Sequence, residues 1–169
     1  DFVAISTAAG MAAFVAPSVL GAQAAGSEPK PLKIALIGCG GRGSGAAAQA
    51  LKADKGVILW AVADVFQDRM DACVAQFAKH PANDRVQVPA ERRFSGFDGY
   101  KQAIASGVDV VLLCSAPHFR PMHLAEAVAA GKHIFCEKPM FVDAPGYRSV
   151  VESVKAAKAK NINLMSAFC

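Results

Sequence analysis

At 169 residues, 53 % of them apolar, the chain can form one domain with a real core but not two large ones. Positive mean hydropathy, few aromatics and abundant alanine suit an α/β domain whose sheet is covered on both faces. The formal charge is only +4, with lysines and arginines dispersed rather than blocked, which excludes an electrostatically driven nucleic-acid binder.

The first residues read as a targeting segment. Residues 2–20 are apolar and alanine-rich, and Ala22 and Ala24 in Gly21-Ala22-Gln23-Ala24 supply the small residues that a signal peptidase favours. Gly10 and Pro17 interrupt the run, which argues against a stable membrane span. The expected organisation is an export signal over 1–24, a polar linker over 25–31 and one domain over 32–169. The opening Asp1-Phe2-Val3 also resembles the residues that follow the arginine pair of twin-arginine signals, a route that exports folded, cofactor-loaded proteins. A periplasmic or otherwise exported protein is therefore expected; a plain N-terminal helix on a cytoplasmic protein is the alternative. A first residue other than Met and a last residue inside a strand-like run suggest a piece of a longer chain.

From Lys33 onward strand-like and helix-like segments alternate, the signature of a parallel sheet with crossover helices. Strands are expected at Ile34 to Ile37, Val57 to Ala63, Asp109 to Cys114, His133 to Cys136 and Asn163 to Phe168, with a short one near Arg93 and Phe94. Helices are expected over Ser44 to Ala53, Gln67 to Lys79, Gly99 to Ser106, Pro121 to Ala130 and from Asp143 to about Lys160. Met70, Val74 and Phe77 recur at helical spacing, Gly131 is placed to end a helix, and Asp143 to cap one. The five cysteines form no CxxC pair and no Cys/His cluster with zinc spacing, so buried reduced thiols and no metal are expected.

The first strand runs into Gly38-Cys39-Gly40-Gly41-Arg42-Gly43, which satisfies G-x-G-x-x-G. Alone the pattern is weak; between an apolar strand and a helix it points to a dinucleotide. Gly38 permits the tight turn, Gly40 the approach of the diphosphate, and Gly43 close helix–strand packing, with the phosphates at the helix N-terminus. Gly41 and Arg42 complete the expected cofactor contacts of the turn. Asp64 ends the second strand about 20 residues further on, the interval at which a carboxylate receives the ribose hydroxyls. It would repel a 2′-phosphate, so NAD is expected ahead of NADP; Arg42 or Arg69 would soften that repulsion. A helix cap is the structural alternative for Asp64.

Ala130-Gly131-Lys132-His133-Ile134-Phe135-Cys136-Glu137-Lys138-Pro139 resembles the A-G-K-H-V-x-x-E-K-P signature of the glucose–fructose oxidoreductase / inositol dehydrogenase (Gfo/Idh/MocA) family. Ser115-Ala116-Pro117-His118-Phe119-Arg120 stands where that family carries T-P-x-x-x-H, with the proline one position late and Arg120 in place of the last histidine. The resemblance implies a doubly wound Rossmann domain followed by a C-terminal α/β domain that is absent from this chain. It implies hydride transfer between NAD(P) and a carbinol carbon of a sugar or polyol, and homo-oligomers formed through the absent domain. Lys138 would act at the reacting hydroxyl, with Glu137 pairing with or orienting it and Pro139 fixing the turn, a cis bond being one way to do so. Ser115, Pro117, Glu137 and Lys138 would also contact the cofactor. His118 is open between a nicotinamide-side contact and a turn residue, His133 is expected to be structural, and His80 and His123 carry no signal.

Three functions compete. A dehydrogenase would reduce NAD with a free sugar or polyol; an NAD-dependent glycosidase would release aglycone without net NADH. A non-catalytic nucleotide-binding module would keep the glycine turn but have no need of the E-K-P lysine.

Overall fold

Short runs, most of them rich in aliphatic residues, form a fully parallel sheet in the computed structural model, which describes residues 30–167. The strands are Leu32–Ile37 (β1), Val57–Asp64 (β2), Arg93–Ser95 (β3), Val110–Leu113 (β4), His133–Cys136 (β5) and Leu164–Ser166 (β6). Their order is β3-β2-β1-β4-β5-β6. Helices Gly41–Ala53 (α1), Gln67–Phe77 (α2), Gly99–Ala105 (α3), Arg120–Ala129 (α4) and Ala144–Ala159 (α5) connect them. This is the doubly wound Rossmann arrangement expected from the alternation of elements.

The core divides by sheet face. Ile34 and Leu36 of β1 pack with Leu51 of α1 and Met70 and Phe77 of α2. Ala35 and Ile37 pack with Ile104 of α3, Leu124 of α4 and Val150 of α5. One irregularity places a functional residue. Ile34 pairs with Leu59 but Ala35 pairs with Ala61, so Trp60 is an extra residue in β2. Before the bulge the odd-numbered Val57 and Leu59 face α1 and α2; after it Val62 does, and Ala61 and Ala63 face the other way. The bulge thereby puts Asp64, two residues after Val62, on the side of the glycine turn.

Differences from the sequence expectation are local. Helix α1 starts at Gly41 rather than Ser44, because Gly41 and Gly43 already lie in its first turn and Ser44 N donates to Gly40 O at 2.9 Å. Helix α2 stops at Phe77, and the residues to His80 continue with tighter bonds such as His80 N to Phe77 O at 3.0 Å. The polar stretch before β3 holds two 3₁₀ turns, Asn83–Arg85 and Ala90–Arg92. Arg85 ties the first to Leu51 O and Val57 O, and Arg92 ties the second to Trp60 O. Asp143 caps α5 as expected, its Oδ1 accepting from Gly146 N at 2.7 Å, and Gly131 has φ +71° after α4. Strand β6 ends at Ser166, and Phe168 lies outside the described residues. The expected export signal lies outside them as well, as does all of the linker except residues 30 and 31. Among the described residues no helix is long and apolar enough to cross a membrane.

Candidate functional site

Strands β1 and β4 are neighbours whose chains depart in opposite directions, and the crevice between their carboxyl ends is where an open α/β sheet receives a ligand. The glycine turn occupies it. Gly38 has φ +97°, and a Cβ there would collide with the backbone of Cys114 and Ser115. A Cβ on Gly43 would collide with Gly38 O, so both glycines are required by the protein's own packing. Gly40 and Gly41 differ. A Cβ on Gly40 would meet only Arg69 Nη1, at 3.6 Å, and one on Gly41 would meet nothing within 4 Å. The turn is closed beneath and open above, beside the N-terminus of α1, which is the shape a diphosphate needs.

Asp64 is both a wall of the site and a brace for the turn. Its Oδ2 accepts from Cys39 N at 2.7 Å and its Oδ1 from Phe66 N at 3.0 Å. The cap of α2 is Phe66, so Asp64 stands at the strand end and does not cap the helix itself. A cavity of about 300 Å³ opens in front of it, lined by Gly38, Gly40, Asp64, Arg69, Ser115 and His123, with Phe66, Phe97, Tyr100 and Phe119 among its apolar walls. Of the two arginines considered near Asp64, only Arg69 lines this cavity. Beneath the turn Cys39 Sγ donates to Ala63 O at 3.5 Å. Contact with the Cys73 thiol, then burial, pushes the Cys39 thiol well up. All four described cysteines are free, and no described group of residues could hold a metal ion.

The second half of the site is the turn after β5. Glu137 is buried, Lys138 is exposed, and the Lys138–Pro139 bond is cis. Glu137 was expected to pair with or orient Lys138. Instead Glu137 Oε1 accepts from Arg42 Nε at 2.6 Å and forms an ion pair with the same guanidinium. The physical reason is position: α1 starts directly beside the end of β5's neighbour β4, so the Arg42 side chain reaches a carboxylate that has left the solvent. A second tie comes from Arg120, which is buried. Its Nε donates to Ser115 O at 3.0 Å and its Nη1 to Pro139 O at 2.6 Å, so it joins the two turns.

The remaining residues separate clearly. His118 is exposed on a 3₁₀ turn, Pro117–Phe119, edge-on to Phe119, and neither it nor Pro117 lines the cavity. His133 is structural, its Nδ1 accepting from Asn163 N at 3.0 Å, and His80 Nδ1 likewise accepts from Ala82 N. The residue that sequence reasoning missed is His123. It is 6 % exposed, lines the cavity, and lies 3.0 Å from Ser115 Oγ through Nδ1. Burial pushes its pKa down to about 4. Its only sequence signal was its place three residues after Arg120, on the inward face of α4.

Comparison with known proteins agrees with this geometry. Residues 32–168 match the oxidoreductase family with an NAD-binding Rossmann fold (GFO_IDH_MocA). The inositol 2-dehydrogenase of Cereibacter sphaeroides (strain ATCC 17023) is 33 % identical over 125 residues, 74 % of this chain and 33 % of that protein. The crystal structure of myo-inositol 2-dehydrogenase from Lactobacillus plantarum superposes with a TM-score of 0.62 at 26 % identity, over 82 % of this chain and 36 % of that one. The scyllo-inositol dehydrogenase of Lactobacillus casei with bound NAD(H) and scyllo-inositol shares the fold, with a TM-score of 0.62 at 21 % identity, over 82 % of this chain and 36 % of that one. The chain thus spans about a third of the length of these relatives.

Proposed function

We propose that this chain, which belongs to the Gfo/Idh/MocA oxidoreductase family, is the NAD-binding half of a dehydrogenase acting on a carbinol carbon of a cyclitol or related polyol. The observation that carries the reading is the physical coupling of its two turns. Arg42 of the glycine-turn helix holds Glu137, and Arg120 holds Pro139, so the turn that carries exposed Lys138 is fastened to the glycine turn. The open face at Gly40 and Gly41 and the carboxylate of Asp64 fit the diphosphate and the adenosine ribose. When bound, the nicotinamide supplies the hydride acceptor. The residues of this chain bind and orient: Gly38 and Gly43 shape the turn, Asp64 receives ribose hydroxyls, and Ser115 stands beside Gly38. Lys138 presents its ammonium to the reacting hydroxyl, where it stabilises developing alkoxide charge or tunes the proton acceptor. The inositol dehydrogenases among the relatives make inositols the first substrates to try.

The test is hydride transfer in the full-length protein, followed as NADH formation in a single turnover at saturating NAD with myo-inositol, scyllo-inositol and a polyol panel. Lys138→Ala should leave NAD affinity almost unchanged and slow the transfer by roughly a hundredfold or more. Lys138→Arg should not restore it, because a planar guanidinium does not release its proton. Transfer at the wild-type rate in Lys138→Ala would make the lysine a bystander. Release of aglycone from glycosides without net NADH would replace the dehydrogenase with a glycosidase.

Export belongs to the same proposal and rests on the apolar run before Ala22-Gln23-Ala24. The N-terminus of the mature protein from its host should lie near Ala25. Recovery of residues 2–20 on the mature protein would refute it.

A further inference from the structure

Ser115 and His123 form a polar pair in the cavity wall. Ser115 Oγ and His123 Nδ1 are 3.0 Å apart. Tyr100 stacks on the imidazole with centroids 4.1 Å apart and planes 25° apart, and Phe119 lies nearly parallel to it at 6.1 Å. The ring is therefore held in one plane. Among the described residues no protein group bonds Nε2, yet no buried side-chain nitrogen or oxygen lacks a partner. Nε2 consequently reaches the cavity that His123 lines.

A neutral imidazole and a hydroxyl carry two mobile protons between them. One closes the bond inside the pair, and the other is left over. If Ser115 donates to Nδ1, the spare donor is Nε2–H; if Nδ1–H donates to Ser115, the spare donor is the hydroxyl and Nε2 becomes an acceptor. In either arrangement the pair offers the cavity a donor and an acceptor but no charge. Phosphates are anions that only accept, and the N-terminus of α1 suits them better. A ribose hydroxyl both donates and accepts through one atom. Of the other charged walls, Asp64 accepts only and Arg69 donates only, so neither matches both halves of a hydroxyl.

We infer that His123 is a cofactor-binding residue that works as one unit with Ser115, the pair holding a ribose hydroxyl of the dinucleotide. This rests on the reading of the cavity as the dinucleotide site. Burial keeps the imidazole neutral at physiological pH, as the unit requires.

The test is a double-mutant cycle on NADH affinity in the full-length protein. Ser115→Ala and His123→Phe, the second retaining a ring against Tyr100, should each weaken binding about tenfold, the scale of one hydrogen bond with a stranded partner. The double variant should bind no more weakly than either single one, because both remove the same unit. His123→Asn, whose amide carries a donor and an acceptor, should recover much of the loss. Additive losses, unchanged affinity in either single variant, or no recovery in His123→Asn overturns the inference. Should His123→Phe fail to fold, the wild type decides. With ¹⁵N-labelled histidine, a ring nitrogen of His123 should shift on saturation with NADH, and an unmoved ring overturns the inference. A wild type that does not bind NADH defeats the dinucleotide reading itself, whereas tight binding with indifferent variants removes only the role of His123.

Discussion

The carboxylate of Glu137 closes on the guanidinium of Arg42, 95 residues earlier in the chain, and not on its neighbour Lys138. Glu137 is almost wholly buried while Arg42 keeps one side in water. The pair fastens the turn after β5 to the first turn of α1, and thus one half of the site to the other. Removing one partner of such a pair strands the other. Arg42→Ala should therefore destabilise the protein by about 3 kcal/mol, because it leaves a buried carboxylate unpaired. Glu137→Gln, which keeps a hydrogen bond, should cost less. Urea unfolding of both variants checks the order, and a milder Arg42→Ala would show that the pair holds nothing together.

The four glycines of the turn should separate into two classes. Gly43→Ala forces a methyl into Gly38 O, so both folding stability and NADH affinity should fall. At Gly40 a Cβ meets only Arg69 Nη1, so Gly40→Val places its branch on the open face where the diphosphate would lie. It should lower NADH affinity at least tenfold, or about 1.4 kcal/mol, with only a small change in unfolding midpoint. Paired calorimetric and binding measurements on the two variants make the comparison. Equal loss of stability in both would show that Gly40, too, is a packing residue.

Cofactor choice should follow Asp64. NADH should bind more tightly than NADPH, since a 2′-phosphate beside this carboxylate meets like charge. Asp64→Ala should narrow the gap between the two, and it should also weaken NADH itself, because Cys39 N loses its acceptor. Fluorescence titration with both dinucleotides tests this. Equal binding of NADPH by the wild type would remove the assigned role of Asp64.

The buried imidazole of His123 gives stability a pH dependence of definite sign. Its pKa is lowered by burial from 6.5 to about 4, so between these values the unfolded chain binds a proton that the folded chain refuses. The contribution is complete above pH 6.5 and is lost as pH falls toward 4, with a limiting slope of about 1.4 kcal/mol per pH unit. His123→Phe should flatten the dependence between pH 6.5 and 5 relative to the wild type. Parallel urea curves at the two pH values report it, and an unchanged slope would mean that the ring titrates elsewhere.

Wherever the reason lay within a few neighbouring residues, it was legible from the chain alone. The alternation of aliphatic runs with helical spacing specified a parallel doubly wound sheet. The glycine pattern, with a strand before it and a helix after it, specified the turn, and Asp143 and Gly131 marked helix ends by their own chemistry. These are local backbone and burial preferences, and each is written where it acts. Tertiary structure alone decided which side chains meet. Arg42 finds Glu137, Arg120 joins Ser115 to Pro139, and His123 finds Ser115, because the crossover helices bring the ends of β1, β4 and β5 together. The Trp60 bulge, which puts Asp64 on the side of the glycine turn, depends on the register between two strands. Pairings of this kind are set by packing across the sheet, and no spacing along one chain encodes them.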